Sequence, residues 1–199
     1  MPKIDSFINK LSSRPSANAV ENQYSCPAKA DNLECYLRQI IKVEHTLFVG
    51  EAPGHLGAAK TGIGFTSPFQ LQQGTHPFID SILGGLSVGT ASIKESTAKC
   101  FWESMKNHNI NPVPWNVFPF HPHKEGDPNS NRTPNKREIS EGIDYLHKLL
   151  KIIKPQKIFS VGRFADNLLN ELKIEHLHVR HPSYGGQTKF KNQIKDFFK

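Results

Sequence analysis

The stretch TLFVGEAPGHLGAAKTGIGFTSPFQ, residues 46–70, contains the pattern that decides the fold. Its apolar run, Leu47 to Val49, ends in a loop rich in glycine and proline, Gly50 to Gly54, and a polar segment follows. Such a run is typical of a buried parallel strand, and the loop is then the turn at the carboxyl end of that strand. In open α/β sheets, ligands bind at this edge. Glu51, the one carboxylate of the loop, is therefore a candidate functional residue.

Strands and helices alternate along most of the remaining chain. The apolar patterns predict further strands at 113–118, 157–161 and 174–179. They predict helices at 4–11, 77–83, 94–107 and 164–172. Three more helices are predicted: one that starts at residue 31, one that starts at residue 133, and one at the end of the sequence. The polar stretch 12–29 is expected to be mobile, and Thr133 is expected to cap the helix that follows it. This alternation implies a parallel sheet that is covered by helices on both faces.

The composition is that of an ordinary globular protein. Hydrophobic residues make up 37% and charged residues 22% of the 199 residues, so we expect a single domain over residues 1–199. No apolar run approaches the length of a membrane span, and the first residues lack the apolar core of a signal peptide. We therefore expect a cytoplasmic protein, a monomer, with no membrane partner. The three cysteines form no CxxC pair, which argues against a disulfide framework. The net charge of +7 favours a polyanionic partner.

Three polar side chains follow the ends of predicted strands. Glu51 and Asn116 come at the ends of the first two strands, and His181 follows the last. Because the carboxyl ends of parallel strands meet at one edge of a sheet, we expect these side chains around one crevice, with Phe65 as an apolar wall. An asparagine amide offers a donor beside an acceptor, which match O4 and N3–H of uracil. An aromatic face can stack on an extruded base.

The same set of side chains suits cleavage of an N-glycosidic bond. Cleavage leaves negative charge on the base and an oxocarbenium-like sugar, so a donor at the base oxygen lowers the barrier. A carboxylate can orient water and stabilise the sugar cation, by analogy with glycoside hydrolysis. Each residue alone also has a structural explanation: a solvated glutamate, an asparagine bonded to the backbone, and a His-Pro turn. Their expected convergence favours a base-excising site.

Several motifs resemble the uracil-DNA glycosylase superfamily. GEAPG at 50–54 and HPS at 181–183 resemble its two signature motifs. Between them, TGIGFTSPF at 61–69, Trp115–Asn116, NRTPNKREI at 131–139 and VGRFA at 161–165 resemble the branch called family four. The resemblance implies a DNA glycosylase that removes uracil or another deaminated base from DNA. It also implies an α/β fold, a three-layer α/β/α sandwich with a central four-stranded parallel sheet, which the order of elements suggests independently.

The resemblance implies roles for individual residues. Glu51 would position the hydrolytic water, and His181 would stabilise charge on uracil O2. The residues expected to bind uracil are Gly50, Ala52, Phe65 and Asn116, with Phe65 stacking on the base and Asn116 recognising its edge. The residues expected to contact DNA are Pro182, Ser183, Tyr184 and Gly185, in a turn that would enter the minor groove. Tyr184 is the candidate to replace the extruded base, and a contact of Tyr184 with the core is the alternative.

The sequence departs from the family pattern at positions that bear on cofactor and specificity. Family-four enzymes hold an iron–sulfur cluster with four cysteines, but Phe120 and about Gly142 fall at two of those positions. We therefore predict no cluster, no metal and no other cofactor. Ala52 replaces an aspartate of the best-known branch, so water activation would depend on Glu51 or on the geometry of the bound substrate. Gly54 replaces a tyrosine that blocks the thymine methyl group, which leaves the choice between uracil and thymine open.

Other interpretations stay open. His121 with His123, and His176 with His178 and His181, could bind zinc, although the sequence indicates no carboxylate partner for them. A P-loop is excluded because no GK[ST] follows GEAPG. A superfamily member that binds DNA or a nucleotide without turnover would keep the same crevice, and only an enzyme would leave abasic sites.

Overall fold

The structure, a computed structural model, describes residues 2–89 and 92–199. Its helices are α1 (Pro2–Ser12), α2 (Pro27–Ile40), α3 (Ala58–Thr61), α4 (Pro77–Ile82), α5 (Ser96–Asn107), α6 (Lys136–Ile153), α7 (Arg163–Glu171) and α8 (Gln187–Phe197). Its strands are β1 (Val20–Glu21), β2 (Thr46–Gly50), β3 (Pro112–Asn116), β4 (His121–Pro122), β5 (Lys157–Val161) and β6 (Leu177–Val179). Short 3₁₀ turns span Gln23–Ser25, Pro68–Gln70 and Leu83–Gly85. Among the described helices, none combines the length and the apolar character that crossing a membrane requires.

Four of the strands form one parallel sheet. Their order is β3-β2-β5-β6, with Gly50 opposite Asn116 and Ser160 opposite His178. Every pair in this sheet is parallel, so all four carboxyl ends lie at one edge. Helices cover both faces, and the predicted three-layer sandwich with a central four-stranded parallel sheet is confirmed.

The two faces of the sheet pack on different helices because neighbouring residues of a strand point to opposite sides. Phe48 stacks on Phe159 of the next strand with ring centroids 5.2 Å apart, and it meets Phe101 of α5 at 5.3 Å. On the other face, Trp115 meets Phe7 of α1 at 5.7 Å. Full burial of each such side chain contributes roughly 1.5–3 kcal/mol. The sheet is thus fixed from both sides, and its carboxyl edge is left to polar loops.

The polar stretch 12–29 has a defined structure, so the prediction that it is mobile is wrong. It contains β1, which pairs antiparallel with β4, and a 3₁₀ turn. The Asn22 side chain is 1% exposed, and its amide donates to the carbonyls of Leu11 and Arg14 at 2.8 and 2.6 Å. Buried polar side chains require such partners. Gln23 donates to the Pro119 carbonyl at 2.6 Å across 96 positions, and a local pattern gives no sign of such a partner.

Helix α6 begins at Lys136, and its cap is Asn135 rather than the predicted Thr133. The Asn135 side-chain oxygen accepts from the Glu138 N–H at 3.0 Å, and the Glu138 carboxylate accepts from the Asn135 N–H at 2.8 Å. This reciprocal capping box needs an acidic or amide side chain three residues after the cap. Asn135 has Glu138 at that distance, whereas Thr133 has Lys136. The helix therefore starts two residues later than predicted.

Candidate active site

The loop that follows β2 is fixed by the segment that follows β3. The Val117 N–H donates to the Gly50 carbonyl at 2.8 Å, and the Phe118 N–H donates to the Glu51 carbonyl at 3.1 Å. The hydrogen bonding between these two segments thus continues beyond the sheet. Strand β3 itself ends at Asn116 and not at the predicted residue 118. These bonds hold the first residues of the loop in a defined position beside Asn116.

No side chain fits at Gly50. A Cβ atom there would lie 2.5 Å from Cζ of Phe65 and 2.9 Å from Oδ1 of Asn116. The aromatic ring and the amide therefore both lie directly against the backbone of this residue. Glycine is required here because two side chains approach the main chain so closely. The structure brings together three of the four residues that were expected to bind uracil.

Phe65 is held rigidly. Its ring stacks on Phe101 with centroids 5.0 Å apart and an interplanar angle of 18°, and the His181 ring lies 6.1 Å away. The residue has a φ of 47°, in the left-handed region that residues with a side chain rarely adopt. Such strain costs on the order of 1–3 kcal/mol and persists only where the surroundings enforce it. The packing thus fixes an aromatic ring at the edge of the sheet.

The Asn116 amide forms no hydrogen bond to any described residue, and the residue as a whole is 6% exposed. Unlike Nε1 of Trp115, which is buried without a partner, the two polar atoms of this amide are still reached by solvent. Phe65 beside it is 7% exposed. Both the donor and the acceptor of this amide are therefore available to a ligand.

His181 is a neutral imidazole with its proton on Nε2. The Ser183 N–H donates to Nδ1 at 3.1 Å, and the Ser183 hydroxyl lies 2.8 Å from the same atom. A nitrogen that accepts a hydrogen bond has no proton of its own, so the proton is on the other nitrogen. Burial, and then the positive charge of Arg180, lower the pKa of His181 to about 4. The ring can donate a hydrogen bond from Nε2 without carrying a charge.

Glu51 and Ala52 lie in the loop directly after Gly50, and both are half-buried. The Glu51 carboxylate forms no hydrogen bond to a described residue, and its main chain is fixed by Phe118. The loops that contain Glu51, Asn116 and His181 all leave the carboxyl edge of the same sheet. The topology thus places the three loops at one edge, and the convergence of the three side chains around one crevice stays a prediction.

The turn after β6 presents one aromatic side chain to solvent. Pro182 is buried and Ser183 is half-buried, whereas Tyr184 is 97% exposed. Tyr184 and Gly185 have φ values of 49° and 73°, and this left-handed pair forms the tip of the turn. The alternative in which Tyr184 packs on the core is wrong.

Sequence comparison identifies the family. The model of the uracil DNA glycosylase superfamily matches residues 44–199, a range that includes the loop at 50–54 and the turn at 181–183. The chain belongs to this superfamily. No curated protein matches the sequence. Among solved structures, the crystal structure of wild-type Pedobacter heparinus SMUG2 is similar with a TM-score of 0.70 and 15% identity, over 98% of this chain and 96% of that chain.

Membership of the uracil DNA glycosylase superfamily confirms the resemblance that the motifs indicate, and it supports a glycosylase-type function with a DNA substrate. The likeness to the SMUG2 structure supports the fold alone, because the identity is low.

Two residues to which the sequence assigned no such role, His121 and Asn131, hold the loop in place. His121 Nδ1 lies 2.8 Å from the Pro53 carbonyl oxygen, and the Asn131 side-chain oxygen accepts from the His55 N–H at 3.0 Å. The partners are 68 and 76 positions apart in sequence. The one available signal was topological, since the polar loop that contains His121 and Asn131 follows β3 and leaves the same edge of the sheet.

A second carboxylate of this superfamily member lies beside the same loop. A Cβ atom at Gly57 would lie 2.4 Å from Oε2 of Glu95, and one at Gly54 would lie 3.8 Å from Oε1. Burial raises the pKa of the Glu95 carboxyl, which forms no hydrogen bond to a described residue. No local pattern around Glu95 indicates that it packs on this loop, because Gly54 and Gly57 lie about 40 positions earlier in the chain.

The histidines considered for zinc have other partners. His176 Nε2 and His178 Nδ1 lie 2.9 and 3.4 Å from the same oxygen of Asp166, so the expectation that no carboxylate accompanies them is wrong. Asp166 also accepts from the Ser160 hydroxyl at 3.0 Å. Within residues 2–89 and 92–199, no group of three or more histidine, cysteine or acidic side chains is arranged to hold a metal ion.

The residues present do not fit an iron–sulfur cluster of the family-four kind. Phe120, at one of the ligand positions, is fully buried with its ring 5.3 Å from that of Tyr145. At the second ligand position, a Cβ on Gly142 would lie 2.3 Å from the Val117 carbonyl oxygen. Helix α6 therefore packs directly on the main chain at Val117 and leaves no space for a thiolate. The three cysteines are Cys26, which is exposed, Cys35, which is half-buried, and Cys100, which is buried. Three thiols cannot supply four ligands.

Proposed function

We propose that the chain hydrolyses the N-glycosidic bond of uracil, and of related deaminated bases, in DNA, which initiates base excision repair. The observation that supports this most directly is the Asn116 amide, which has no partner among the described residues and lies beside the ring of Phe65. A uracil stacked on that ring would pair with the amide through O4 and N3–H.

The chemistry follows from where charge develops. The bond between C1′ of the sugar and N1 of the base breaks, the electron pair leaves with the base, and water supplies a hydroxyl to C1′ and a proton to the base. Nε2–H of His181 is proposed to donate to O2 as negative charge grows there. Glu51 is proposed to orient the water and to stabilise the positive charge of the sugar.

The proposal extends beyond uracil because of the space at Gly54. The atoms nearest to a Cβ at this position are the Glu95 and Asn131 side-chain oxygens, at 3.8 and 3.9 Å. No large side chain therefore stands at the position from which the best-known branch excludes a thymine methyl group. Thymine opposite guanine, hypoxanthine and xanthine are the bases to compare with uracil.

The test is an excision assay on a labelled oligonucleotide that contains one uracil. Purified protein is incubated with single-stranded, U·A and U·G substrates, and alkali then cleaves the strand at any abasic site. We expect cleavage by the wild-type chain and a loss of roughly 10²- to 10³-fold in Asn116→Ala and His181→Ala, which remove a stabilising donor. Affinity for the uracil strand without any cleavage above these variants would instead identify a binding protein of the same superfamily.

Glu51 lies in the loop after β2, and Glu95 packs against the same loop. Matched substitutions of the two carboxylates therefore test which of them acts in excision. Glu51→Gln should slow single-turnover excision by roughly 10²-fold or more, because it removes the charge that stabilises the sugar cation. Glu95→Gln is the matched control and should change the rate by less than about threefold. The opposite order of effects would transfer the proposed role to Glu95.

A further inference from the structure

A groove with a basic rim lies between α1 and α6. Its volume is about 410 Å³. Four lysines line it, two from each helix: Lys3, Lys10, Lys148 and Lys151. Pro2, Phe7 and Ile152 supply apolar surface to the same groove, and Ser6 adds a hydroxyl. A concave site that combines apolar surface with a few charged groups is typical of ligand binding.

Three lysines of this groove, Lys10, Lys148 and Lys151, lie close enough for their charges to repel. The pKa of Lys148 is lowered by contact with the Lys10 amine first, then by desolvation, and further by the charge of Lys151. Asp144 acts in the opposite direction on Lys148. None of the four lysines forms an ion pair with a carboxylate in the described part of the chain. An anion bound among them would relieve this repulsion.

The groove lies away from the candidate active site. Lys148 and Lys151 are in the last turns of α6, which ends beside the start of β2, where His45 Nε2 lies 2.9 Å from the Ile153 carbonyl oxygen. That is the amino edge of the parallel sheet, whereas Gly50 and Asn116 end their strands at the carboxyl edge. A base held at Asn116 is therefore at the opposite edge from these lysines.

We propose that this groove binds a short acidic segment of a partner protein that also presents an apolar side chain. The acidic residues would pair with the lysine rim, and the apolar side chain would cover Pro2, which is exposed, and Ile152, which is half-buried. A phosphate backbone would use the lysines but would leave this apolar surface uncovered. The contacts available thus favour an acidic peptide over a nucleic acid strand.

The experiment measures fluorescence anisotropy of a labelled peptide of consecutive aspartates that ends in leucine and phenylalanine, titrated with the full chain. We expect saturable binding that weakens with salt and weakens when the aspartates become asparagines or the two apolar residues become serines. The double variant Lys148→Glu with Lys151→Glu should bind about tenfold more weakly or worse. The matched control, Lys189→Glu with Lys195→Glu on the exposed side of α8, makes the same change in net charge and should differ from wild type by less than about twofold.

Thermal unfolding of both double variants shows whether each is folded before its affinity is interpreted. Equal weakening by the two variants would overturn the proposal, because the effect would then reflect net charge alone. Tighter binding of a single-stranded oligothymidylate, with the same dependence on Lys148 and Lys151, would also overturn it in favour of nucleic acid. Neither result depends on whether the chain excises uracil, so the proposal stands or fails separately from the glycosylase function.

Discussion

At residue 50, any side chain would occupy space that Phe65 and Asn116 already fill. Gly50→Ala places a Cβ 2.5 Å from the ring and 2.9 Å from the amide oxygen, so both must move. We expect a loss of stability of about 1–3 kcal/mol from overpacking. We expect a larger effect on excision, roughly 10²-fold, because misplacement of a binding group by about 1 Å has that consequence. The measurements are urea denaturation and single-turnover excision.

Gly84→Ala is the control for that substitution. Gly84 is exposed, and a Cβ there would have no atom within 4 Å. Its stability should stay within about 0.5 kcal/mol of wild type, and its excision rate should not change. Normal excision by Gly50→Ala would mean that the close approach of the two side chains to this residue is not needed for base binding.

Also at the residue scale, His181 should titrate well below an ordinary histidine. Burial and Arg180 lower its pKa from 6.5 to about 4, so the ring is neutral above a pH of about 5. Excision should therefore show no change due to this group near pH 6.5, and it should fall as the pH approaches 4, where protonation of Nδ1 breaks the bond from the Ser183 N–H. An NMR titration of the ring with a midpoint near 6.5 would contradict this.

The same shift has a defined effect on stability. Between pH 6.5 and about 4 the unfolded chain binds a proton at His181 that the folded chain does not. His181 therefore has no effect on the free energy of unfolding above pH 6.5. It destabilises the fold progressively as the pH falls from 6.5 to about 4, and it adds no further change below about 4. His181→Gln should lack this component of the pH dependence when unfolding is measured across the same range.

At the scale of elements, the start of α6 depends on one ion pair. Arg132 donates to both oxygens of Glu138 at 2.8 and 2.7 Å, and to the His123 and Ala19 carbonyls at 2.9 Å each. Arg132→Met would leave the Glu138 carboxylate, on a residue 8% exposed, without its cation. We expect a loss of about 2 kcal/mol or more in the free energy of unfolding, measured with urea.

Lys191→Met provides the comparison, because it also removes an ion pair. Lys191 pairs with Glu103 at 2.9 Å, but the two side chains are 45% and 42% exposed. Solvent screens such a pair, so the loss should be under about 1 kcal/mol. Equal losses in the two variants would show that burial of the Arg132 pair adds nothing to the stability of α6.

The periodicity of the sequence predicted most of these elements, including all four strands of the main sheet and the apolar stripe of α6. It misplaced the cap of α6, although the capping box of Asn135 and Glu138 joins residues three apart and is itself a local pattern. It also missed the structure of the stretch 12–29, where β1 pairs with β4 and Gln23 donates to the Pro119 carbonyl, 96 positions away. Those long-range partners exist only in the folded chain.

At the scale of the whole molecule, Tyr184 is the residue placed to act on a duplex. It is 97% exposed at the tip of a turn that leaves the same edge of the sheet as the crevice. If it replaces the extruded base, Tyr184→Ala should slow excision from duplex substrates by about tenfold or more and leave single-stranded substrates nearly unaffected, because only a duplex must be unstacked. Tyr184→Phe should behave like wild type.

The control for this prediction is the thermal stability of the Tyr184→Ala variant. An exposed side chain contributes little to folding, so the melting temperature of Tyr184→Ala should match that of wild type. An equal loss of rate on single-stranded and duplex substrates would assign Tyr184 to general DNA binding rather than to base replacement. The single-domain organisation, the monomeric state and the cytoplasmic location stay predictions at this scale.

The sequence by itself determined the order of the four main strands and of the longer helices, the parallel sheet, and the edge at which Glu51, Asn116 and His181 emerge. It could do so because the period of the apolar residues and the direction of the strands are local properties that fix global topology. Only the tertiary structure decided that Asn116 is buried without a partner, that Glu95 packs on the loop after β2, and that His121 and Asn131 hold that loop. Those facts depend on the distances between side chains that are far apart in the chain, which arise only when the layers pack together.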